Sequence, residues 1–135
     1  VSTSRFVLDA SAALAVLAGK NLDPTLRRRV LSGHPAAPEI FDLEVLNTLR
    51  KQLRAGILAP ALADRLAKRL RVFPIDRSPH RALTHRAWEL RHAITPYDAS
   101  YVALAEKLRL PLVTTDAKLA RSNGYKAEIE LYPAS

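Results

Sequence analysis

A chain of 135 residues has room for one domain with a proper core and no room for two, so residues 1–135 read as a single unit. Its 21 Lys plus Arg against 13 Asp plus Glu give a formal net charge of +8, which would draw a polyanion such as nucleic acid, although many soluble proteins are basic for unrelated reasons. There is no cysteine, no apolar run of membrane-spanning length and, in the opening VSTSRFVLD, no basic-then-apolar signal layout; disulfides and thiol chemistry are excluded, and a cytoplasmic protein is expected.

In chain order, Arg5 to Leu8 is a short apolar strand that stops at Asp9, and Ala10 to Ala18 reads as helix. Asp23 followed by Pro24 is an N-cap with proline at the first helical position, opening a basic helix that ends near Gly33. Pro38 is expected to open the next helix, which runs to Arg54 before Gly56 stops it. A helix from about Pro60 to Arg71 leads into a strand over Val72 to Ile75. Ser78 with Pro79 is expected to cap a helix through His92, and Thr95 with Pro96 one through Leu108. Leu112 to Thr114 is again strand, Asp116 to Ser122 a short helix, and Ile129 to Tyr132 a last strand. Short strands alternating with helices predict an α/β fold in three α/β/α layers around a short central parallel sheet.

Four carboxylates stand at or just inside these strand-to-helix junctions: Asp9, Glu44, Asp98 and Asp116. In an open α/β sheet such junctions share one edge, so distant residues can converge there. Clustered carboxylates suit a hard divalent cation, Mg²⁺ or Mn²⁺. Capping is the competing explanation for three of them, because Asp is a favoured N-cap and Asp98 follows Thr95 in a T-x-x-D pattern. Glu44 falls in the second turn of its expected helix, where capping has nothing to do. On that helix it shares a stripe with Asn47 and Lys51 at the margin of the apolar face, while Glu39 and Asp42 lie in the first turn and are explained by the helix dipole. The helix N-termini should keep Asp9, Asp98 and Asp116 ionised, with mutual repulsion opposing.

The segments DASAAL after the first strand, EVLNTL on the second long helix, YDASYVALAE late in the chain and LVTTD just after it resemble PIN-domain ribonucleases. Among these the chain is most similar to the toxin subunits of VapBC-type toxin–antitoxin pairs, and the resemblance runs from Phe6 to the last strand. It implies a metal-dependent endoribonuclease using Mg²⁺ or Mn²⁺, with its acidic site on Asp9, Glu44, Asp98 and Asp116. The second acid is Glu44 because Asn47 follows it three residues later. Ser11 and Thr114 match hydroxyl positions that steady the carboxylates, and Thr115 matches less well. Asp9, Asp98 and Asp116 are the expected metal ligands, and Glu44 either holds a second ion or orients the attacking water. The implied cleavage leaves a 5′ phosphate and a 3′ hydroxyl. The implied partners are an RNA substrate, a cognate VapB-like antitoxin and, from the apolar helices between Leu43 and Leu70, a second copy of the chain.

Other readings compete with parts of this one. A haloacid-dehalogenase-like phosphatase would need a second acid where Ser11 stands, and a phosphoacceptor receiver would need paired acids near its first strand. A non-enzymatic RNA-binding or scaffold protein on a PIN fold remains the alternative. His34, His80, His85 and His92 lack the same-face spacing of a helical zinc site and read as surface residues. Trp88 reads as a packing residue first and a base-stacking platform second. Arg50, Arg54, Arg65, Arg69, Arg86 and Arg91 are candidate phosphate contacts, against the reading that they are solvated arginines lying along helices.

Overall fold

The computed structural model describes residues 4–19, 23–122 and 124–133. Five parallel strands form one sheet: β1 (Arg5–Leu8), β2 (His34–Pro38), β3 (Asp76–Ser78), β4 (Leu112–Thr114) and β5 (Ile129–Leu131), in the spatial order β3-β2-β1-β4-β5. Among the described residues seven α-helices flank it: α1 (Ala10–Ala18), α2 (Pro24–Leu31), α3 (Phe41–Arg54), α4 (Pro60–Arg71), α5 (Thr84–Glu89), α6 (Pro96–Leu108) and α7 (Ala117–Arg121). Helix α1 packs with α2, α3 and α4, whereas α6 packs with α5 and lies on β1, β2 and β4. The core between them includes Phe6, Leu8, Phe41, Val45, Leu66, Tyr101, Val102 and Leu112. No helix of the described residues is long and apolar enough to cross a membrane.

The chain moves from β1 outward to β2 and β3, then returns to the other side of β1 to lay down β4 and β5. The order therefore reverses between β1 and β4. In parallel α/β sheets the crevice at the carboxyl ends of such a strand pair is the natural ligand position. Asp9 directly follows β1, and Thr115 and Asp116 directly follow β4.

Several sequence expectations need correction. Residues 34–38 form a strand that the sequence reading missed, because the prolines of HPAAP suggested a helix start. Glu39 N–H donates to Ser78 O at 2.8 Å, so the chain stays extended through Pro38 and α3 begins only at Phe41. Glu44 consequently lies in the first turn of α3, not the second. The strand expected at Val72 to Ile75 is displaced to Asp76–Ser78, since Val72 closes α4 and is 81% exposed. At the edge of the sheet that strand can be charged, and pattern reading looks for apolar runs. The helix expected from Ser78 to His92 breaks into a 3-10 turn at Arg81–Leu83 and the short α5, which leaves His80 and His92 outside any helix. Trp88 is not a packing residue, being 67% exposed, while Ala87 and Leu90 bury that side of the element.

Candidate active site

Asp9 is the N-cap of α1 and is 6% exposed. Its backbone N–H donates to Val113 O at 3.1 Å, which ties it to β4. Its Oδ1 accepts from Ala12 N at 2.9 Å and from the Ser11 hydroxyl at 2.7 Å, and its Oδ2 accepts from the Thr114 hydroxyl. Burial raises the Asp9 pKa to about 6 against the lowering effect of these three donors, and the nearby Asp98 charge adds to the rise. The expectation that helix N-termini would govern ionisation here is thus incomplete, because desolvation is the larger effect.

Asp116 is the N-cap of α7, with Oδ1 accepting from Lys118 N at 2.9 Å and Leu119 N at 3.4 Å. Its own N–H donates to Thr114 Oγ1 at 2.9 Å. Thr115 contributes its backbone, N–H to Ser11 Oγ at 3.3 Å, and among the described residues its hydroxyl makes no hydrogen bond. Two hydroxyls, Ser11 and Thr114, therefore stitch the ends of β1 and β4 together around Asp9.

Asp98 is the third residue of α6, with its N–H on the Thr95 hydroxyl oxygen at 3.2 Å. Its pKa is raised by burial and by the Asp116 charge, and the Thr95 hydroxyl lowers it. Glu44 reaches the same site from α3. Its pKa is raised by burial first, with Asp98 and Asp9 adding repulsion and the Tyr101 hydroxyl opposing. All four carboxylates are thus linked by mutual repulsion, Asp9 to Asp98 and Glu44, and Asp98 to Asp116. Asn47 sits one turn beyond Glu44 and is exposed. The rival acids are engaged elsewhere: Asp42 holds Arg77 through two bonds at 2.7 and 2.8 Å, and Glu39 pairs with His80 at 3.1 Å.

Tyr101, within the YDASYVALAE segment, is a site residue that the sequence does not single out. It is 1% exposed, one turn after Asp98 on α6, and its hydroxyl lies among Glu44, Asp9 and Asp98. Burial and that negative charge push its pKa far up, so it stays a donor. The nearby hydroxyl opposes the rise in the Glu44 pKa, yet Glu44 Oε1 and Tyr101 Oη are both buried without a well-formed hydrogen bond. The i, i+3 spacing from Asp98 was the available signal.

Among the described residues no three acidic or histidine side chains close tightly enough to ligate one ion by themselves. Mg²⁺ tolerates this, because it dehydrates reluctantly and is usually held by one or two carboxylates plus waters and substrate phosphate. Glu44 Oε1 and Tyr101 Oη, and Tyr125 Oη near Asp98 and Asp116, are buried polar atoms without a partner that such a hydrated cation and its waters would satisfy.

Of the six arginines, Arg50, Arg54 and Arg65 are exposed on α3 and α4. Arg69 donates to Leu17 O at 3.1 Å. Arg86 grips Glu106 at 2.7 and 3.1 Å and Gly124 O at 2.7 Å, which gives it a structural duty. Arg91 lies over the Trp88 ring, 4.6 Å from its centroid.

A family profile described as PIN domain matches residues 6–124. The chain is 37% identical over 125 residues to Ribonuclease VapC12 of Mycobacterium tuberculosis, covering 93% of this chain and 97% of that protein. It is 39% identical over 117 residues to Ribonuclease VapC3 of the same species, covering 86% of this chain and 85% of the relative. Among solved structures, PAE2754 from Pyrobaculum aerophilum superposes with a TM-score of 0.66 at 30% identity, covering 94% of this chain and 83% of that one. VapBC2 from Rickettsia felis, bound to a DNA fragment from its promoter, gives 0.69 at 14% identity over 95% of this chain and 98% of that one, a likeness of fold alone. The chain belongs to the PIN-domain family and, within it, to the VapC ribonucleases.

Proposed function

We propose that this protein is the toxin half of a VapBC-type pair, a single PIN domain that cleaves RNA endonucleolytically with Mg²⁺ or Mn²⁺ at Asp9, Glu44, Asp98 and Asp116. The observation that carries the reading is the pair of unsatisfied buried atoms, Glu44 Oε1 and Tyr101 Oη, facing carboxylates at the reversal point of the sheet. Unpaired buried polar atoms in a carboxylate crevice are what a hydrated cation completes. Asp9 and Asp98 would hold the cation, with Asp116 beside them.

A bound divalent cation supplies charge neutralisation on the phosphoryl oxygens and lowers the pKa of the attacking water. The chain's residues do the rest. Ser11 and Thr114 hold Asp9 in one orientation. Glu44, its pKa raised by burial, is a stronger base than an ordinary glutamate and takes the proton of the attacking water. Attack at phosphorus expels the 3′ oxygen, giving a 3′ hydroxyl and a 5′ phosphate.

VapC toxins pair with VapB antitoxins. Leu43, Leu46, Leu53 and Ile57 are exposed at 63, 41, 38 and 76% along and just beyond α3. This apolar run supports a homodimer that also takes up an antitoxin, whose segment would cover the acidic crevice and whose other half binds DNA. Purified protein incubated with bulk RNA tests the central reading: cleavage with Mg²⁺ or Mn²⁺ that EDTA abolishes supports it, and RNA binding without cleavage favours a scaffold on the same fold.

A further inference from the structure

Beside the acidic crevice, between α5 and the start of α6, lies a cleft of about 730 Å³ whose lining includes Ile40, Trp88, Arg91, Thr95, Tyr97 and Ser100. Its volume falls within the range of clefts that seat small organic groups, roughly 300–1,000 Å³. The chain has one tryptophan and four tyrosines, and it leaves Trp88 67% and Tyr97 57% exposed on this one cleft. Packing does not require either ring, since Ala87, Leu90 and Ala99 bury those elements.

The indole is also held: Arg91 stacks on it at 4.6 Å and donates to Trp88 O at 3.0 Å, while the Ser100 hydroxyl ties the Tyr97 backbone carbonyl at 2.6 Å. Tyr97 immediately precedes Asp98, so the cleft and the carboxylate site share the first turn of α6. Flat apolar rings beside a fixed guanidinium suit a group that is aromatic in its body and anionic next door. A second copy of the chain would meet the cleft with its own Arg91 and a net charge of +8, whereas a polyanion is attracted by both.

We propose that this cleft seats an unpaired nucleobase of the RNA strand, stacked on Trp88 or Tyr97, next to the phosphate held at the acidic site. The proposal rests on the ribonuclease reading and adds to it a base subsite, which stacking makes tolerant of sequence. Arg91 then contacts the adjoining phosphate or the base plane.

Because Trp88 is the sole tryptophan, intrinsic fluorescence reports on the cleft directly. The full-length protein, in EDTA so that nothing is cut, is titrated with a short single-stranded oligoribonucleotide and, in parallel, with inorganic tripolyphosphate. Saturable change with the oligonucleotide and none with tripolyphosphate is expected. Trp88→Ala should weaken binding of a labelled oligonucleotide by about tenfold to a hundredfold, with Trp88→Phe recovering much of it and the metal dependence of cleavage unchanged. An unresponsive Trp88 in protein that cuts RNA overturns the base subsite and leaves the ribonuclease reading standing. A response without cleavage does the reverse. Equal response to tripolyphosphate reduces the cleft to an anion patch, and a response to protein concentration alone makes it a contact between copies; either result overturns the proposal.

Discussion

Thr114 donates its hydroxyl to Asp9 Oδ2 across 105 residues of sequence, and Thr114 Oγ1 in turn accepts the Asp116 N–H at 2.9 Å. One hydroxyl thus orients a carboxylate at the end of β1 and the backbone at the start of α7. Thr114→Val keeps the shape and removes both bonds. The account expects weaker metal binding by about 10- to 100-fold, the usual effect of losing an outer partner of a ligand, and a stability loss of about 1–2 kcal/mol. Calorimetric titration with Mn²⁺ checks the first and thermal melting in EDTA the second; unchanged affinity would make Thr114 a structural stitch only.

Asp9 also sets a pH dependence. Its folded pKa of about 6 lies above the ordinary 3.8, so its favourable contribution is complete below pH 3.8 and is lost as pH rises through 6. At roughly 1.4 kcal/mol per pH unit, metal-free protein at pH 7 carries a penalty of about 3 kcal/mol from ionising Asp9. Asp9→Asn should therefore melt higher than wild type at pH 7 in EDTA and nearly equal to it below pH 4. In the wild type, Mn²⁺ must displace a proton below pH 6, so affinity should fall with acidification there. Equal melting of the two proteins at pH 7 would show that the burial penalty is already met by the donors around Asp9.

Tyr101→Phe isolates the second orientation device. The hydroxyl has no well-formed bond to lose, so stability should change by less than about 1 kcal/mol. Glu44 loses the one group that lowers its pKa. The acid limb of the pH–rate profile should move to higher pH, with KM little changed. A profile that does not move would leave Tyr101 as core packing.

The arginines should divide into two sets. Arg86→Ala should lower stability by about 1–2 kcal/mol, because it frees Glu106 and the 124–126 segment, with RNA affinity affected only through folding. If Arg50, Arg54 or Arg65 contacts phosphate, its replacement should reduce the slope of log affinity against log salt by about 0.7. Unchanged slopes at all three would move the RNA track elsewhere, for example to the exposed Arg27 and Arg28; the expected third member, Arg29, is taken up by Glu130 and the Phe6 ring.

Much of this was legible because helix starts announce themselves. Asp23–Pro24 and Thr95–Pro96 cap α2 and α6 as read, and the alternation of strand and helix gave the parallel α/β architecture. The strand His34–Pro38 was not legible, since its two prolines and two alanines carry neither alternation nor β-branching, and its burial comes from lying between β1 and β3. The same error moved Glu44 from the first turn of α3 to the second. Burial was the other hidden quantity: the sequence offers Asp9 as a helix cap, and only its burial beside β4 shows that desolvation governs its charge. Trp88 was misjudged for the opposite reason, because a lone tryptophan suggests core and the fold leaves it on a cleft.

The most direct test compares wild type and Asp98→Asn on one RNA in Mg²⁺, sequencing the ends produced. Asn keeps the side-chain shape and the Thr95 bond to the residue 98 N–H, and removes the charge. Wild type should give fragments with 5′ phosphate and 3′ hydroxyl ends, and the variant should fold equally well and lose cleavage by at least about a hundredfold. Full activity in Asp98→Asn, or products with 2′,3′-cyclic phosphate ends, would contradict a cation-dependent hydrolytic site built on these carboxylates.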